Sequence, residues 1–397
     1  MAWIVTEAVS PAPLWAEQMY GVSISGAYFY SPLIWYDGVD YTWAVEKRRV
    51  VDGGLEWFVT DSPGTGSYPN AVTTDATYVY TGGFAPALPG SGARVEKRRQ
   101  SDGGVEWNQN EVWPGNHEVN GIAVDASGVY IAGRQQSTWN YLVQRRSLIT
   151  GAPVWTKLLG GVPFASSFAL DICTYGTDVY ACGILKVGAL FSDQQPYVEK
   201  RDIATGGLTW GIGVTPYPGY SGYAKMAVDA NGVYSIGNFE VGGGIRKIDL
   251  VSRALSDGHV QWINQVDTDV LGGSLQSVND LLLLGDKLYV VTIQSGAGIV
   301  CVIESRSRID GSFIARDILI PYDNPAFFGI DGISNAPADE IIGSGWSDFV
   351  APPDQQCYMQ DFLASLPVPS GPTMDQIMRG CKWFNGGSFQ GMYLGWR

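Results

Sequence analysis

A chain of 397 residues with 51 glycines, 12% aromatic and only 16% charged side chains has the composition of many short, turn-separated strands and too little charge for a disordered chain. Its net charge of −14 argues against nucleic acid or an anionic membrane as partner, because both are held through excess Lys and Arg; cationic and neutral partners stay open. No run approaches the roughly 20 apolar residues of a membrane span, and the opening MAWIVTEAVSPAPLW lacks the basic and apolar regions of a secretory signal, so synthesis in the cytoplasm is expected, a destination compatible also with a virion or surface component.

Two hairpin patterns alternate along the chain. The first begins at residues 3–15 (WIVTEAVSPAPLW), returns at 45–57 (VEKRRVVDGGLEW) and almost letter for letter at 95–107 (VEKRRQSDGGVEW), then at 143–155, 198–210, 245–262 and 303–315. Each copy is an extended run, a Gly-centred turn and a second extended run that ends on Trp, or on Ala315 in the last copy; this is a β-hairpin signature. The second pattern, a strand, a short turn and an aromatic strand closed by Gly, is cleanest at 120–133 (NGIAVDASGVYIAG) and recurs at 21–34, 70–83, 168–183, 225–237, 278–292 and 328–345.

Repetition near 50 residues marks a propeller or solenoid. One hairpin of each kind gives a four-stranded antiparallel blade, and the chain is expected to be an all-β, seven-bladed β-propeller over residues 1–346. The last blade would take two strands from 328–345 and two from the N-terminal hairpin, so that the ends are stapled together and deletion of residues 1–16 opens the ring. Residues 347–397 form a C-terminal extension: a Pro-rich linker, then an aromatic arm with Trp383, Phe389, Tyr393 and Trp396 as anchors for assembly. Alternatively that arm caps the propeller, or residues 358–374 supply a strand of the last blade.

The GIAVDxxGVYxxG unit followed by VxKRDxxTGxxxW resembles the short propeller repeats known as SBBP-type, and the D-x-x-T-G-x-x-x-W portion, clearest at 202–210, is similar to the tryptophan-bearing repeats of quinoprotein-type propellers. Both resemblances imply the fold and leave activity open. Quinoprotein dehydrogenases carry adjacent cysteines at their cofactor; here no two of the five cysteines are neighbours, and no cofactor is expected.

Most repeated residues read as structural. Trp15, Trp57, Trp107, Trp155, Trp210 and Trp262 share one position and are expected to pack between blades. Asp52, Asp102, Asp257 and Asp310 precede turn glycines and are poor catalytic candidates, as are Asp125 and Asp229. The runs Glu46–Arg49, Glu96–Arg99 and Glu199–Arg201 are expected to form cross-strand ion pairs on an outer surface; the sharper alternative, a basic band for an acidic partner, sits badly with the net charge. Cys173 and Cys182 flank one turn, so free thiols and a disulfide both remain open.

No nucleophile elbow, HExxH, phosphate loop or calcium loop is present, and the two histidines, His117 and His259, lie in different blades; no catalytic, cofactor or metal residue is assigned. The long connections all fall on one face and carry aromatics, so Trp35, Trp113, His117, Trp139, Tyr217 and Tyr220 are the candidate binding residues. The expected function is a non-catalytic interaction or structural propeller, with other protein subunits as partners in a larger assembly. A glycan-binding propeller and an enzyme with carboxylates at the channel mouth are the alternatives.

Overall fold

The structure is a computed structural model and describes residues 3–6, 21–36, 41–61, 66–87, 90–111, 117–135, 140–160, 167–186, 194–213, 221–240, 246–266, 274–295, 299–319, 328–336, 340–347 and 392–396. Among these residues every regular element is a strand, and the strands form repeated four-stranded antiparallel sheets. Six sheets each use four consecutive strands. Sheet 1 contains Ser23–Ser25, Tyr28–Tyr36, Tyr41–Arg49 and Leu55–Asp61, and sheet 2 contains Tyr68–Thr74, Tyr78–Ala87, Gly90–Arg99 and Val105–Glu111. Sheet 3 follows with His117–Asp125, Gly128–Gln135, Asn140–Arg146 and Pro153–Leu159, and sheet 4 with Phe168–Tyr175, Asp178–Lys186, Gln194–Asp202 and Leu208–Gly213. Sheet 5 contains Ser221–Asp229, Gly232–Glu240, Arg246–Arg253 and Val260–Val266, and sheet 6 contains Ser274–Leu284, Lys287–Ser295, Ile299–Ser307 and Phe313–Leu319.

The core lies between sheets. Ala71, Tyr80 and Val95 of sheet 2 pack with Val119, Ile122 and Ile131 of sheet 3 in one cluster, and clusters of the same make-up join sheets 3 and 4, 4 and 5, and 5 and 6. First strands of consecutive sheets lie against one another. Each sheet therefore has both faces covered, which decides the fate of the charged runs. Glu46, Arg48, Glu96, Arg98, Glu199 and Arg201 are buried, contrary to the expected outer surface. Period-2 alternation puts Glu and Arg two residues apart on one face, where they pair along their own strand: Arg48 Nε–Glu46 Oε2 2.8 Å, Arg98 Nε–Glu96 Oε1 2.7 Å and Arg201 Nε–Glu199 Oε1 2.7 Å. The same arginine donates Nη1 to the turn glycine carbonyl five residues on in all six sheets, at 2.9–3.2 Å. Only the outermost arginines keep to the surface: Arg49 pairs with Asp52 and Glu56, and Arg99 with Asp102 and Glu106.

On the opposite face of the same strand, a lysine and its cross-strand tryptophan reach into the next sheet. Lys47 and Trp57 are register partners, and Lys47 Nζ and Trp57 Nε1 both donate to the Gln100 carbonyl of sheet 2's turn, at 2.9 and 3.0 Å. Lys97 and Trp107 do the same to Leu148 (2.9 and 3.1 Å), Arg145 and Trp155 to Ile203 (3.3 and 3.1 Å), and Lys200 and Trp210 to Leu255 (3.1 Å each). The turn has to present a bare backbone to the indole: Gly151 has φ +70° and a Cβ there would stand 2.5 Å from Trp107 Cε3. This combination of positive φ and close approach is what the repeated turn glycine supplies. The expected inter-sheet packing of Trp57, Trp107, Trp155, Trp210 and Trp262 is thus found; Trp15 lies outside the described residues.

A further sheet is composite, ordered Phe328–Ala336, Glu340–Ser347, Met392–Trp396, Trp3–Thr6. The N-terminus gives it one strand rather than the expected two; the third strand comes from the chain's other end, and residues 358–374, the alternative source, lie outside the described residues. The register corrects a second expectation. Gly345 pairs with Met392 and Gly395 with Trp3, just as Gly83 pairs with Arg94 and Lys97 with Trp107, so Trp3, not Trp15, holds the tryptophan position and Gly395 holds that of lysine. The strand Phe328–Ala336 lies against the first strands of sheets 6 and 1.

Candidate binding face

The turns within each hairpin are tight, and the longer connections enter the first strand or join the second to the third, which puts them together at one end of the sheets. Residues at the starts of first strands and the ends of second strands therefore lie at the sheet ends from which the longer connections run. There the repeat breaks down. Tyr68, Glu118 and Phe168 hold equivalent places in sheets 2, 3 and 4, opposite Phe84, Arg134 and Ile184, so a charged pair in sheet 3 stands between aromatic and apolar pairs in sheets 2 and 4.

These side chains form one continuous chain of contacts. Tyr68 stacks on Phe84 with centroids 5.1 Å apart, and Tyr68 Oη and Asn70 Nδ2 donate to Glu118 Oε1 at 3.3 and 2.8 Å. Glu118 pairs with Arg134 at 2.6 Å, and the Arg134 guanidinium lies over the Phe168 ring, 5.3 Å from its centroid. Burial, then the nearby Glu118 charge, pushes the Tyr68 hydroxyl up to about 12, so it is a neutral donor throughout the physiological range. The arrangement presents aromatic rings beside a carboxylate and a guanidinium, a surface for polar or cationic groups with a flat apolar side.

Immediately beyond the first-strand bulges, the equivalent positions are Ala71, Gly121, Asp171, Lys225, Asp280 and Gly332. Small residues let neighbouring strands close up: a Cβ on Gly121 would stand 2.9 Å from Asp171 Cα. Asp171 bridges the next joint, accepting from Met226 N at 2.8 Å and from its own neighbour Ile172 N at 2.9 Å. Residue 171 keeps some solvent contact, yet its carboxyl group is enclosed, and that burial, reinforced by Asp280 and opposed by Lys225 and the Met226 amide, pushes it up to about 6. A ¹³C-carboxyl titration is expected to show one aspartate with a midpoint near 6. That midpoint moves down in Asp280→Asn and up in Lys225→Met. Because the folded value lies above the ordinary one, this group adds stability as pH falls from about 6 toward 4 and removes it above.

Of the candidate residues read from sequence, Trp35 is half-buried at the end of its strand and packs edge-on to Phe58 at 4.9 Å, which is a packing role. His117 is buried at the start of sheet 3. Trp113, Trp139, Tyr217, Tyr220, Trp383 and Phe389 lie outside the described residues, and Tyr393 and Trp396 fall in the strand Met392–Trp396 of the composite sheet. Cys173 and Cys182 are free; their register partners are Tyr180 and Asp171, so they are diagonal rather than opposed across the hairpin, and burial pushes both thiols well up. Sequence reasoning missed Tyr68, Glu118, Arg134 and Phe168. Their signal was the edge of each repeat, with Tyr68, Glu118 and Arg134 just outside a copy and Phe168 opening one, where equivalent positions stop matching. No cluster of three or more metal-ligating side chains occurs among the described residues, and no helix among them is long and apolar enough to cross a membrane.

No family model and no curated protein matches the sequence. Solved structures do match. Hydrazine synthase of Kuenenia stuttgartiensis superposes with a TM-score of 0.52 at 11% identity, over 82% of this chain and 92% of that one. The quinohemoprotein alcohol dehydrogenase ADHIIG of Pseudomonas putida gives 0.47 at 12% identity over 82% of this chain, which spans 62% of that enzyme's length, and the Dos1 propeller gives 0.47 at 10% identity over 83% and 92%. At such identities the likeness concerns the fold alone.

Proposed function

We propose that this chain is a closed, seven-bladed, non-catalytic binding propeller that serves as a subunit or surface decoration of a larger protein assembly, with its long-connection face as the docking surface. One observation carries the reading. The repeated Glu, Lys, Arg and Trp side chains are consumed in struts and joints between sheets, whereas chemistry that differs from sheet to sheet collects where the long connections meet, at Tyr68, Phe84, Glu118, Arg134 and Phe168. Ring closure is supported by the first strand of the composite sheet lying against those of sheets 6 and 1. The net charge of −14 favours a neutral or cationic partner surface.

The untagged protein from its native source is expected to elute from size exclusion in a stoichiometric complex. Changing Arg134 to Ala, at the edge of the Glu118 pair, is expected to weaken that complex at least tenfold. Elution alone near the 42.9 kDa monomer mass overturns the assembly reading. A second reading, glycan binding, draws on the Tyr68–Phe84 stack beside the Glu118–Arg134 pair; its test is a glycan array, with Tyr68→Ser abolishing any signal.

A further inference from the structure

The joints between sheets are not equal. From sheet 1 through sheet 5, each is held by a cation and an indole that donate to one turn carbonyl of the next sheet. At the joint from sheet 5 to sheet 6 the cation is gone: Ser252 faces Trp262 in register and its hydroxyl turns to Gln261 of its own sheet at 2.7 Å. Trp262 still lies against Gly311, whose Cβ would stand 2.6 Å from the ring, and Arg308–Asp229 at 2.6 Å adds an ion pair across the joint. At the next joint both donors are gone. Sheet 6 carries Ser305 opposite Ala315, so neither an ammonium nor an indole is available to the composite sheet.

The composite sheet in turn lacks the receiving element. In sheets 1 to 6 the third and fourth strands are joined by a glycine turn, and in sheets 2 to 5 a carbonyl of that turn accepts the clasp; here those strands are Met392–Trp396 and Trp3–Thr6, from opposite ends of the sequence, and no turn joins them. On its other side the composite sheet has, by register, Trp3 at the tryptophan position and Gly395 at the lysine position. The loss of the donor pair at Ser305 and Ala315 and the loss of the acceptor turn therefore coincide at one joint, and at that joint only among the described residues.

We infer that the joint between sheet 6 and the composite sheet is a built-in seam at which the propeller opens. Opening there uncovers the forward face of sheet 6, including Val291 and Ile303, which are 0% and 3% exposed in the closed form. A seam of this kind lets a ring expose an apolar face reversibly without unfolding its other sheets, in the way locally weak units open ahead of the whole.

The inference rests on the closed ring proposed above, and hydrogen exchange on the full-length monomer separates the two. Amides of Lys287–Ser295 and Ile299–Ser307 are expected to exchange at least tenfold faster than those of Tyr78–Ala87, Gly128–Gln135 and Asp178–Lys186, with Tyr28–Tyr36 of sheet 1 as protected as the latter group. Equal protection of sheets 1 to 6 overturns the seam and leaves the ring intact. Fast exchange in both sheets 1 and 6 overturns the closed ring, and the seam with it. A second arm tests the cause: in the Lys97→Met/Trp107→Phe double variant, Tyr78–Ala87 should reach the exchange rate of sheet 6, and an unchanged rate shows that the clasp does not set the protection. Should that variant fail to fold, the wild-type comparison alone decides.

Discussion

Replacing Glu96 with alanine is expected to lower stability by about 3–5 kcal/mol, the range for removing one partner from a buried ion pair. Glu96 is fully buried and accepts from two sheets at once: Trp43 Nε1 of sheet 1 at 2.9 Å, Thr81 Oγ1 at 3.0 Å, Arg98 at 2.7 and 3.1 Å, and Arg94 at 2.9 and 3.3 Å. Burial by itself would raise its pKa, but Arg98 and Arg94 outweigh it and hold the carboxyl below the usual range. Alanine takes the buried counter-charge from both guanidiniums, leaving them Asp61 and, for Arg98, the Gly103 carbonyl, and strands an indole donor besides. Glutamine keeps one acceptor oxygen but loses the counter-charge and sets an N–H donor against the arginines in place of the other oxygen, so it should cost less than alanine but remain well below wild type. The sign with pH follows from the depressed value: the contribution is present above the unfolded carboxylate range, near 4.3, and is lost as pH falls through the folded pKa. The urea midpoint of Glu96→Ala should therefore lie far below wild type at pH 7, and the deficit should shrink as pH falls through the depressed pKa. A deficit that does not shrink on acidification means that shape, not charge, is what Glu96 provides. Sheet 3 gives a natural control: Gln144 stands in the equivalent place, and Arg146 is served instead by Glu111 from sheet 2.

Much of this architecture was legible in the sequence because hairpins are local. The Gly-centred turns, the alternation of two strand pairs and the recurring Trp all survive as read, with Gly53, Gly103, Gly258 and Gly311 at positive φ. What failed was non-local. A Glu-Lys-Arg run on a strand reads as a solvated face only if one face meets water; in stacked sheets neither does, and Glu96 and Lys97 are buried on opposite sides of the same strand. The composite sheet failed for a related reason. Its outer strand is the four residues Trp3–Thr6, too short to show a pattern, and spacing favoured Trp15 until register with Gly395 placed Trp3. The candidate face was half legible. The sequence located the long connections and their aromatics, whereas Glu118 and Arg134 flank a repeat whose regularity drew attention away from its ends.

Trp107→Ala should be as damaging as Glu96→Ala, about 3–5 kcal/mol by urea unfolding, the usual range for deleting a buried aromatic ring. The indole does three things at one joint: it fills the space over Gly151, packs 6.3 Å from Tyr80 and donates to the Leu148 carbonyl. Trp107→Phe keeps part of the first two and loses the third, so it should fall about 1–2 kcal/mol below wild type. Lys97 donates to the same carbonyl from across the strand pair and lies 3.7 Å over the Tyr78 ring; burial pushes its ammonium pKa down, a sign that its fit in the joint is bought against desolvation. Because both donors share one acceptor, their losses should not add. A double-mutant cycle of Lys97→Met with Trp107→Phe is expected to show a coupling of about 0.5–1 kcal/mol or more, whereas the same cycle between Lys97 and the distant Trp210 should give none within error. Additive losses in the first cycle would mean that cation and indole act separately. The repeated Lys–Trp pairing would then be two independent contacts placed side by side by register, and the weakness assigned to the Ser305–Ala315 joint would have to come from the missing ring alone.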